Sequence, residues 1–227
     1  HAFQPFWGDE SKQPQPGEYN EEVMERLDRV VRAARVRGIR LSLMLLNGKP
    51  PYHNADDLAD NPGVNAHTYA NYAEGADTYD DFYTNAACKE LYKQRVEAVL
   101  TRENTITGVE YRDEPAIAMW ELGNEIEYAE PWTHDDPTLR PWIEEMSRHV
   151  KSIDENHLVT TGEFGWAGRN NYTADHAPDG VDLCSIHYYP GTVVRSGERR
   201  RARPPGAAPG PHPNGTTGTR QAGVRRR

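Results

Sequence analysis

The chain of 227 residues is long enough for one globular domain, and its charge is distributed unevenly along the sequence. Residues 1–194 carry 17 Lys and Arg against 34 Asp and Glu, whereas residues 195–227 carry nine Arg against one acid. The acidic body argues against nucleic acid as a partner, and no apolar run reaches the length of a membrane span. We therefore expect a folded domain over 1–194, a disordered basic tail over 195–227, and neither a nucleic-acid nor a membrane partner.

The basic tail is rich in Arg, Pro, Gly and Ala and contains no Phe, Trp or Tyr. Such a composition cannot build a hydrophobic core and offers no ring for base stacking, although a basic arm for an acidic surface remains an alternative. Our preferred hypothesis is that the tail is an artefact, either a GC-rich coding region read out of frame or a misassembled end. The start at His1, without Met or a signal sequence, predicts that this end is truncated too.

The first predicted unit is a helix followed by a buried strand. Asn20 is a favourable helix cap, two acidic residues follow it, and Gly38 ends the helix. The apolar face predicted from helical spacing consists of Val23, Leu27, Val30, Val31 and Ala34. Residues 39–46 form a nearly continuous apolar strand that ends at Asn47. A helix, a glycine and a buried strand are half of a parallel βαβ unit.

A long, acidic, Tyr-rich loop over residues 49–85 follows, and loops of this length commonly shape a binding cleft. Its His and Asp residues have no metal-ligand spacing, and Cys88 and Cys184 provide neither a disulfide framework nor a metal pattern. We therefore expect no metal and no cofactor, and we expect both cysteines to be small buried apolar residues. The next predicted helix covers residues 86–103, with Leu91 among its core residues.

Residues 116–122 are mostly apolar and predict a strand that is buried on both faces. Pro115 and Gly123 bound this strand, because proline and glycine interrupt strands. Asn124 and Glu125 follow it directly. An isolated Asn-Glu pair is typical of a turn and a solvated acid, but the carboxyl end of a buried parallel strand is where α/β proteins keep their chemistry. This strand end is therefore the predicted active site.

Two more predicted units follow. A helix over about 139–153 leads to a strand over 157–161, and a shorter crossing leads to a strand over 181–186. Each strand is followed by polar or aromatic residues; these include Glu163, Trp166, His187 and Tyr189. The alternation of helices and strands, with such residues at each strand end, is typical of an α/β barrel.

The six residues 120–125, Trp-Glu-Leu-Gly-Asn-Glu, resemble the Trp-Glu-Leu-x-Asn-Glu signature of family 5 glycoside hydrolases, in particular the endo-β-1,4-mannanases. Phe-Tyr-Thr-Asn at 82–85 and Asn-Thr-x-Thr-Gly at 104–108 resemble the same family, and the match extends over most of 16–191. The resemblance implies an α/β fold, an incomplete (β/α)8 TIM barrel with about strands 3 to 6 of the 8. It also implies an extracellular glycoside hydrolase.

The resemblance assigns a role to each polar residue at the strand ends. Glu125 corresponds to the general acid/base of the family, and Asn124 corresponds to the residue that binds the sugar 2-hydroxyl. His187 corresponds to a residue that lines the substrate subsite, and Tyr189 to one that hydrogen-bonds the nucleophile. The family places the nucleophile itself in a Glu-Phe-Gly motif on the seventh strand, across the barrel from the acid.

The only Glu-Phe-Gly of this sequence, at 163–165, follows Glu125 by 38 residues and precedes the His-x-Tyr strand. It therefore belongs to the fifth strand, beside that of the acid. Since the two carboxyls of a retaining enzyme face one sugar from opposite sides, about 5 Å apart, we reject Glu163 as the nucleophile. We predict that the nucleophile is missing and that four residues bind substrate, namely Asn47, Trp132, Glu163 and Trp166.

The predicted reaction is retaining hydrolysis of a β-1,4-linked mannan-type polysaccharide, with mannan, glucomannan or a related β-1,4-glycan as partner. We expect this activity in the full-length parent and expect the chain itself to be inactive, because the covalent route needs the nucleophile. One alternative is an endo-β-1,4-glucanase with the same strand-end residues. The other is a non-catalytic carbohydrate-binding remnant that uses its cleft aromatics.

Overall fold

The computed structural model describes residues 17–46, 73–76, 81–126, 138–163 and 172–187. The chain divides into two units, residues 1–188 and 189–227, and every described residue lies in the first unit. The predicted domain boundary at residue 194 and the basic tail therefore lie outside the described residues. A search of the described helices finds none with the length and apolar character needed to cross a membrane.

The described elements alternate between helix and strand and confirm the predicted α/β class. Three strands form a parallel sheet in the order β1-β2-β3, as expected when helices connect successive strands. In chain order the elements are α1 (Glu21–Arg37), β1 (Leu41–Met44), α2 (Asp81–Thr84), α3 (Ala86–Leu100), a 3-10 helix (Tyr111–Asp113), β2 (Ile117–Glu121), α4 (Leu139–Ile153), β3 (Leu158–Thr160) and α5 (Tyr172–Asp175).

Helix α1 begins and ends at the predicted residues. The Asn20 side chain accepts hydrogen bonds from the backbone N–H groups of Glu22 and Val23, at 3.1 and 3.4 Å. Gly38 ends the helix with a φ of +65°, a left-handed conformation that glycine adopts at little cost. Four of the five predicted apolar residues are buried, and Val30 is half-buried.

Helix α3 ends three residues before its predicted end at residue 103. The buried side chain of Asn104 accepts hydrogen bonds from the N–H groups of Ile106 and Thr107, at 2.9 and 3.1 Å, and this local turn competes with the helix. On the helix itself Tyr92 is fully buried, whereas Leu91 is half-buried. Tyr92 belongs to an aromatic cluster between α2, α3 and α4, whose members are Phe82, Tyr83, Tyr92 and Trp142.

The strand predicted over 181–186 is wrong in extent, since it forms a single parallel bridge, between Thr160 and Leu183. A side chain takes the place of a backbone acceptor here, because Asp182 Oδ2 accepts the Val159 N–H at 2.8 Å. The same segment corrects one cysteine prediction. Cys88 is buried as predicted, but Cys184 is exposed because no described element covers that edge.

Trp120, the first residue of the signature, lies in the interior and contacts the opposite end of the sheet from Glu125. Its indole Nε1 donates a hydrogen bond to Asp154 Oδ2 at 2.7 Å, and His157 Nδ1 lies 2.6 Å from the same oxygen. His157 Nε2 in turn faces the carbonyl oxygen of Glu114 at 3.1 Å. Since all four residues are buried, this network fixes the amino ends of β2 and β3.

A second buried network joins α1 to the segment after α3. Asp28 is fully buried and accepts two hydrogen bonds from Arg102, one from the Tyr111 hydroxyl at 2.6 Å and two from Thr105. Burial alone would raise the pKa of Asp28, but these hydrogen bonds outweigh it and lower the pKa. The network ties α1 to residues 74 or more positions later in the chain.

Candidate active site

The site lies at the carboxyl edge of the sheet, where the backbone after β2 remains bonded to both neighbouring segments. The Asn124 N–H donates to the carbonyl oxygen of Leu46 at 2.7 Å, on the β1 side. The Glu125 N–H donates to the carbonyl oxygen of Gly162 at 2.8 Å, on the β3 side. Asn124 and Glu125, the predicted catalytic pair, therefore come directly after β2 and are held by hydrogen bonds to the segments on both sides of it.

Glu125 has a φ of +53°, and among the described residues it is the one non-glycine residue with a positive φ. A left-handed conformation costs a residue with a side chain about 1–2 kcal/mol, and such strain is concentrated at functional sites. The turn also needs a glycine before it, because a Cβ on Gly123 would lie 2.5 Å from Ile126 Cγ2. Packing thus holds the Glu125 backbone in a conformation that it would not adopt alone.

The side chain of Glu125 is oriented inward and meets His187. Glu125 is 3% exposed, and its Oε1 lies 3.3 Å from Nδ1 of His187, whose side chain is 14% exposed. The two residues are 62 positions apart in the sequence. The structure thus brings together Glu125 and His187, two of the residues that the sequence singled out, and Asn124 directly precedes Glu125 in the chain.

Glu163 lies on the segment next to that of Glu125, as the sequence predicted. It follows β3 and forms a parallel bridge with Ile126, so it belongs to the segment next to that of Glu125. Glu163 is 1% exposed, and its Oε2 lies 3.8 Å from Nδ1 of His176. Glu163 is thus a buried carboxyl on the strand end next to that of Glu125.

Four predicted site residues lie outside the described residues, and their contacts are not part of the structure. They are Asn47, Trp132, Trp166 and Tyr189. Within the described ranges no group of three or more His, Cys, Asp or Glu side chains has the arrangement of a metal site. The chemistry that the described residues offer is that of carboxyl, imidazole and amide groups.

Helix α3 supplies two side chains that the sequence did not single out. The Tyr92 hydroxyl donates to the carbonyl oxygen of Leu122 at 2.6 Å, and Arg95 Nε donates to the carbonyl oxygen of Leu45. Both carbonyls belong to the strand ends that lead into the site. A buried tyrosine hydroxyl or arginine guanidinium needs a hydrogen-bond partner, and this requirement was the signal by which these two residues could have been found.

His176, just after α5, was also missed. Its ring is surrounded by Tyr172, Thr161 and Ser185, and burial lowers its pKa from the usual 6.5, against the opposing effect of the Tyr172 carbonyl. Burial, followed by the nearby Cys184 and Glu163, raises the pKa of Tyr172. No motif or spacing in the sequence marks this histidine.

A parallel sheet flanked by helices, with buried carboxyls at its carboxyl edge, is typical of α/β enzymes, both barrels and open sheets. A family model described as "GH family 5 beta-mannosidase-like" matches residues 2–193. The chain belongs to glycoside hydrolase family 5, as its strand-end signature predicted.

Curated relatives in this family are named as mannanases. Mannan endo-1,4-beta-mannosidase 4 of Oryza sativa subsp. japonica is 38% identical over 202 residues, which cover 81% of this chain and 41% of that protein. Mannan endo-1,4-beta-mannosidase 1 of Arabidopsis thaliana is 38% identical over 196 residues, which cover 77% of this chain and 43% of that protein. The chain therefore spans less than half the length of these relatives.

Solved structures of enzymes named as mannanases also match the chain. The hyperthermostable endo-1,4-beta-D-mannanase of Thermotoga petrophila RKU-1 matches with a TM-score of 0.65 at 30% identity, over 78% of this chain and 54% of that one. The endo-1,4-beta-mannanase of Rhizomucor miehei matches with a TM-score of 0.60 at 29% identity, over 78% and 52% of the two chains. The described sheet and helices are thus consistent with part of a family 5 (β/α)8 barrel.

Proposed function

We propose that this chain is part of a retaining endo-β-1,4-mannanase and supplies about strands 3 to 6 of its eight-stranded barrel. The substrate is a mannan-type β-1,4-linked polysaccharide outside the cell, and Glu125 is the general acid/base. The observation that carries the proposal is the inward-facing Glu125, held in a left-handed conformation at the carboxyl end of β2 and in contact with His187.

A general acid must present its carboxyl in one orientation to the leaving oxygen. Three features of the site support this role for Glu125: the backbone hydrogen bond to Gly162, the burial of the side chain, and the His187 ring at 3.3 Å. Asn124, whose N–H donates to Leu46, is proposed to bind the sugar 2-hydroxyl. His187 would line the subsite next to the acid.

Glu163 is proposed as a cleft acid that binds substrate. Its segment is hydrogen-bonded to that of Glu125, whereas a retaining nucleophile attacks from the opposite face of the sugar. The nucleophile would therefore come from the part of the parent barrel that faces β2. We accordingly propose that this 227-residue chain alone does not turn over substrate.

The decisive experiment compares Glu125→Gln with Glu163→Gln in the full-length parent. The two substitutions make the same chemical change at two buried, adjacent carboxyls, so Glu163→Gln is a matched control. Hydrolysis of galactomannan should fall about 10²- to 10⁴-fold for Glu125→Gln, and much less for Glu163→Gln. An aryl β-mannoside with a good leaving group should recover the first step in Glu125→Gln, because its departure needs no proton.

Equal losses in both variants would contradict the assignment of the acid. The substrate class is tested in the same assays, since release of reducing sugar from carboxymethyl cellulose and not from galactomannan would favour a glucanase. Retardation of the chain in a mannan gel without any hydrolysis by the full-length parent would favour a binding remnant.

A further inference from the structure

We infer that His176 is a positioning residue for the Glu125–His187 pair, because it joins the segment that holds the Glu125 backbone to the segment that carries His187. The imidazole is buried between residues 161–163, at the end of β3, and residues 183–187. It touches neither member of the pair through a hydrogen bond of its own. It acts on Glu125 through the side chain of Thr161 and on His187 through the backbone N–H of Ser185.

The protonation of the His176 ring follows from its neighbours. Nδ1 lies 2.8 Å from the carbonyl oxygen of Tyr172, and a carbonyl oxygen only accepts, so Nδ1 carries the proton. In the neutral ring Nε2 is then an acceptor. It receives the Thr161 hydroxyl at 2.7 Å and the Ser185 N–H at 3.3 Å. The lowered pKa of His176 agrees with this neutral form.

The first connection runs from His176 to Glu125. Thr161 donates its hydroxyl to His176 and can then only accept, which it does from the Glu163 N–H at 3.2 Å. The Glu163 N–H belongs to the same peptide group as the Gly162 carbonyl oxygen, which accepts the Glu125 N–H at 2.8 Å. His176 therefore determines the direction of a carbonyl group that holds Glu125 in its strained backbone conformation.

The second connection runs from His176 to His187. Nε2 accepts the N–H of Ser185, two residues before His187, and the Ser185 hydroxyl oxygen accepts the Gly162 N–H at 2.9 Å. Gly162 is thus held at its N–H by Ser185 and at its carbonyl oxygen by Glu125. The 3.3 Å separation between Glu125 and His187 depends on both connections.

If His176 only filled space, its replacement by leucine and by glutamine would have a different result from the one expected for a hydrogen-bonding role. Leucine would fill the cavity but leave the Thr161 hydroxyl and the Ser185 N–H without their acceptor, whereas glutamine offers an oxygen near the position of Nε2. His176→Leu and His176→Gln are therefore a matched pair that separates hydrogen bonding from packing.

The test uses the 227-residue chain itself, labelled with nitrogen-15 in its histidines and backbone. The ring resonances of His176 should show the tautomer with the proton on Nδ1. In His176→Leu the Ser185 amide should exchange with solvent at least about tenfold faster, and the ring resonances of His187 should move. In His176→Gln both should stay close to those of the unmodified chain. Thr161→Val should reproduce the leucine result, and Thr161→Ser should not.

Three results would overturn the inference: a proton on Nε2 of His176, an unchanged His187 resonance in His176→Leu, or equal effects of leucine and glutamine. Should His176→Leu fail to fold, Thr161→Val carries the same test with a smaller change. Only the catalytic consequence rests on the proposed function. In the full-length parent, His176→Leu should lower kcat at least tenfold with little change in KM, and His176→Gln should restore it.

The proposed function and the inference about His176 can be refuted independently of each other. If Glu125→Gln leaves hydrolysis intact while the His187 resonances still respond to His176→Leu, the acid assignment is wrong and the connection through His176 stands. If the acid assignment holds and the resonances do not respond, the connection is wrong.

Discussion

The Cα of Gly162 faces the carbonyl oxygen of Gly123 so closely that a Cβ at Gly162 would lie 2.1 Å from that oxygen. Gly162 also has a φ of +70°, and its own carbonyl oxygen accepts the Glu125 N–H. The ends of β2 and β3 can approach in this way only because Gly162 lacks a side chain.

We predict that Gly162→Ala destabilises the fold by about 2–4 kcal/mol, because the methyl group meets a backbone atom that cannot move aside and the backbone keeps a positive φ. Gly38→Ala is the matched control, since Gly38 has a similar φ of +65° with nothing within 4 Å of its Cβ position. It should cost only about 1 kcal/mol. Urea denaturation measures both, and equal losses would show that the contact with Gly123 is unimportant.

Trp120 is predicted to stabilise the fold through its indole N–H, and not to bind sugar. Trp120→Phe removes the hydrogen bond to the buried Asp154 carboxylate and should cost about 1.5–3 kcal/mol more than Trp142→Phe. Trp142 is equally buried, and its Nε1 has no hydrogen-bond partner in the described structure. The loss of ring volume is therefore common to both variants. Similar free energies of unfolding for the two would refute the prediction.

Asp28 should make the fold sensitive to acid. Its pKa in the folded state is lowered from 3.8, so below about pH 4 the unfolded chain binds more protons and stability falls. Asp28→Asn should lose about 3 kcal/mol near pH 7, because Arg102, which is 11% exposed, then keeps only the largely exposed Glu21 as a carboxylate partner, and should show a weaker pH dependence below pH 4.

The control for Asp28→Asn is Glu22→Gln on the same helix. Glu22 pairs with Arg26, and the two side chains are 74% and 40% exposed. An exposed pair of this kind contributes less than about 0.5 kcal/mol. Denaturant titrations between pH 2 and 7 compare the variants, and an acid transition that Asp28→Asn leaves unchanged would contradict the assignment.

His176 predicts a second pH dependence, at higher pH. Because burial lowers its pKa below 6.5, the unfolded chain binds the extra proton first, and stability should fall as the pH drops below 6.5. Protonation would also remove the acceptor that Thr161 and Ser185 use. Glu163 Oε2, 3.8 Å from Nδ1, is the nearby charge that favours the protonated form and limits the effect, and the Tyr172 phenol is neutral in this range.

The measurement is the difference in unfolding free energy between the unmodified chain and His176→Gln, from pH 7.5 to 5. Other histidines titrate in both proteins and cancel in this difference. The stability of His176→Gln should fall less steeply with acid than that of the unmodified chain. Parallel curves would mean that His176 is not the titrating group.

Structural features that depend on residues close together in the sequence, such as helix ends, could be predicted from the sequence alone. The cap at Asn20 and the glycine at position 38 gave the bounds of α1, and the range predicted for α4 also agrees with the structure, because capping and helical periodicity act within one or two turns. The signature at 120–125 gave the family and the strand end at which Glu125 lies. The same reasoning failed over 181–186, where side chains of Asp182 and Ser185 replace backbone partners.

The sequence by itself therefore determined the α/β class, the strand that carries Glu125 and the family of the chain. The tertiary structure alone decided that Trp120 is bonded to Asp154, that Glu125 meets His187, and that His176 joins the two segments around them. The first two contacts join residues 34 and 62 positions apart, and the third depends on which ring nitrogen carries the proton. No local pattern encodes such pairings, because they arise only when distant segments pack and bury polar groups that then need partners.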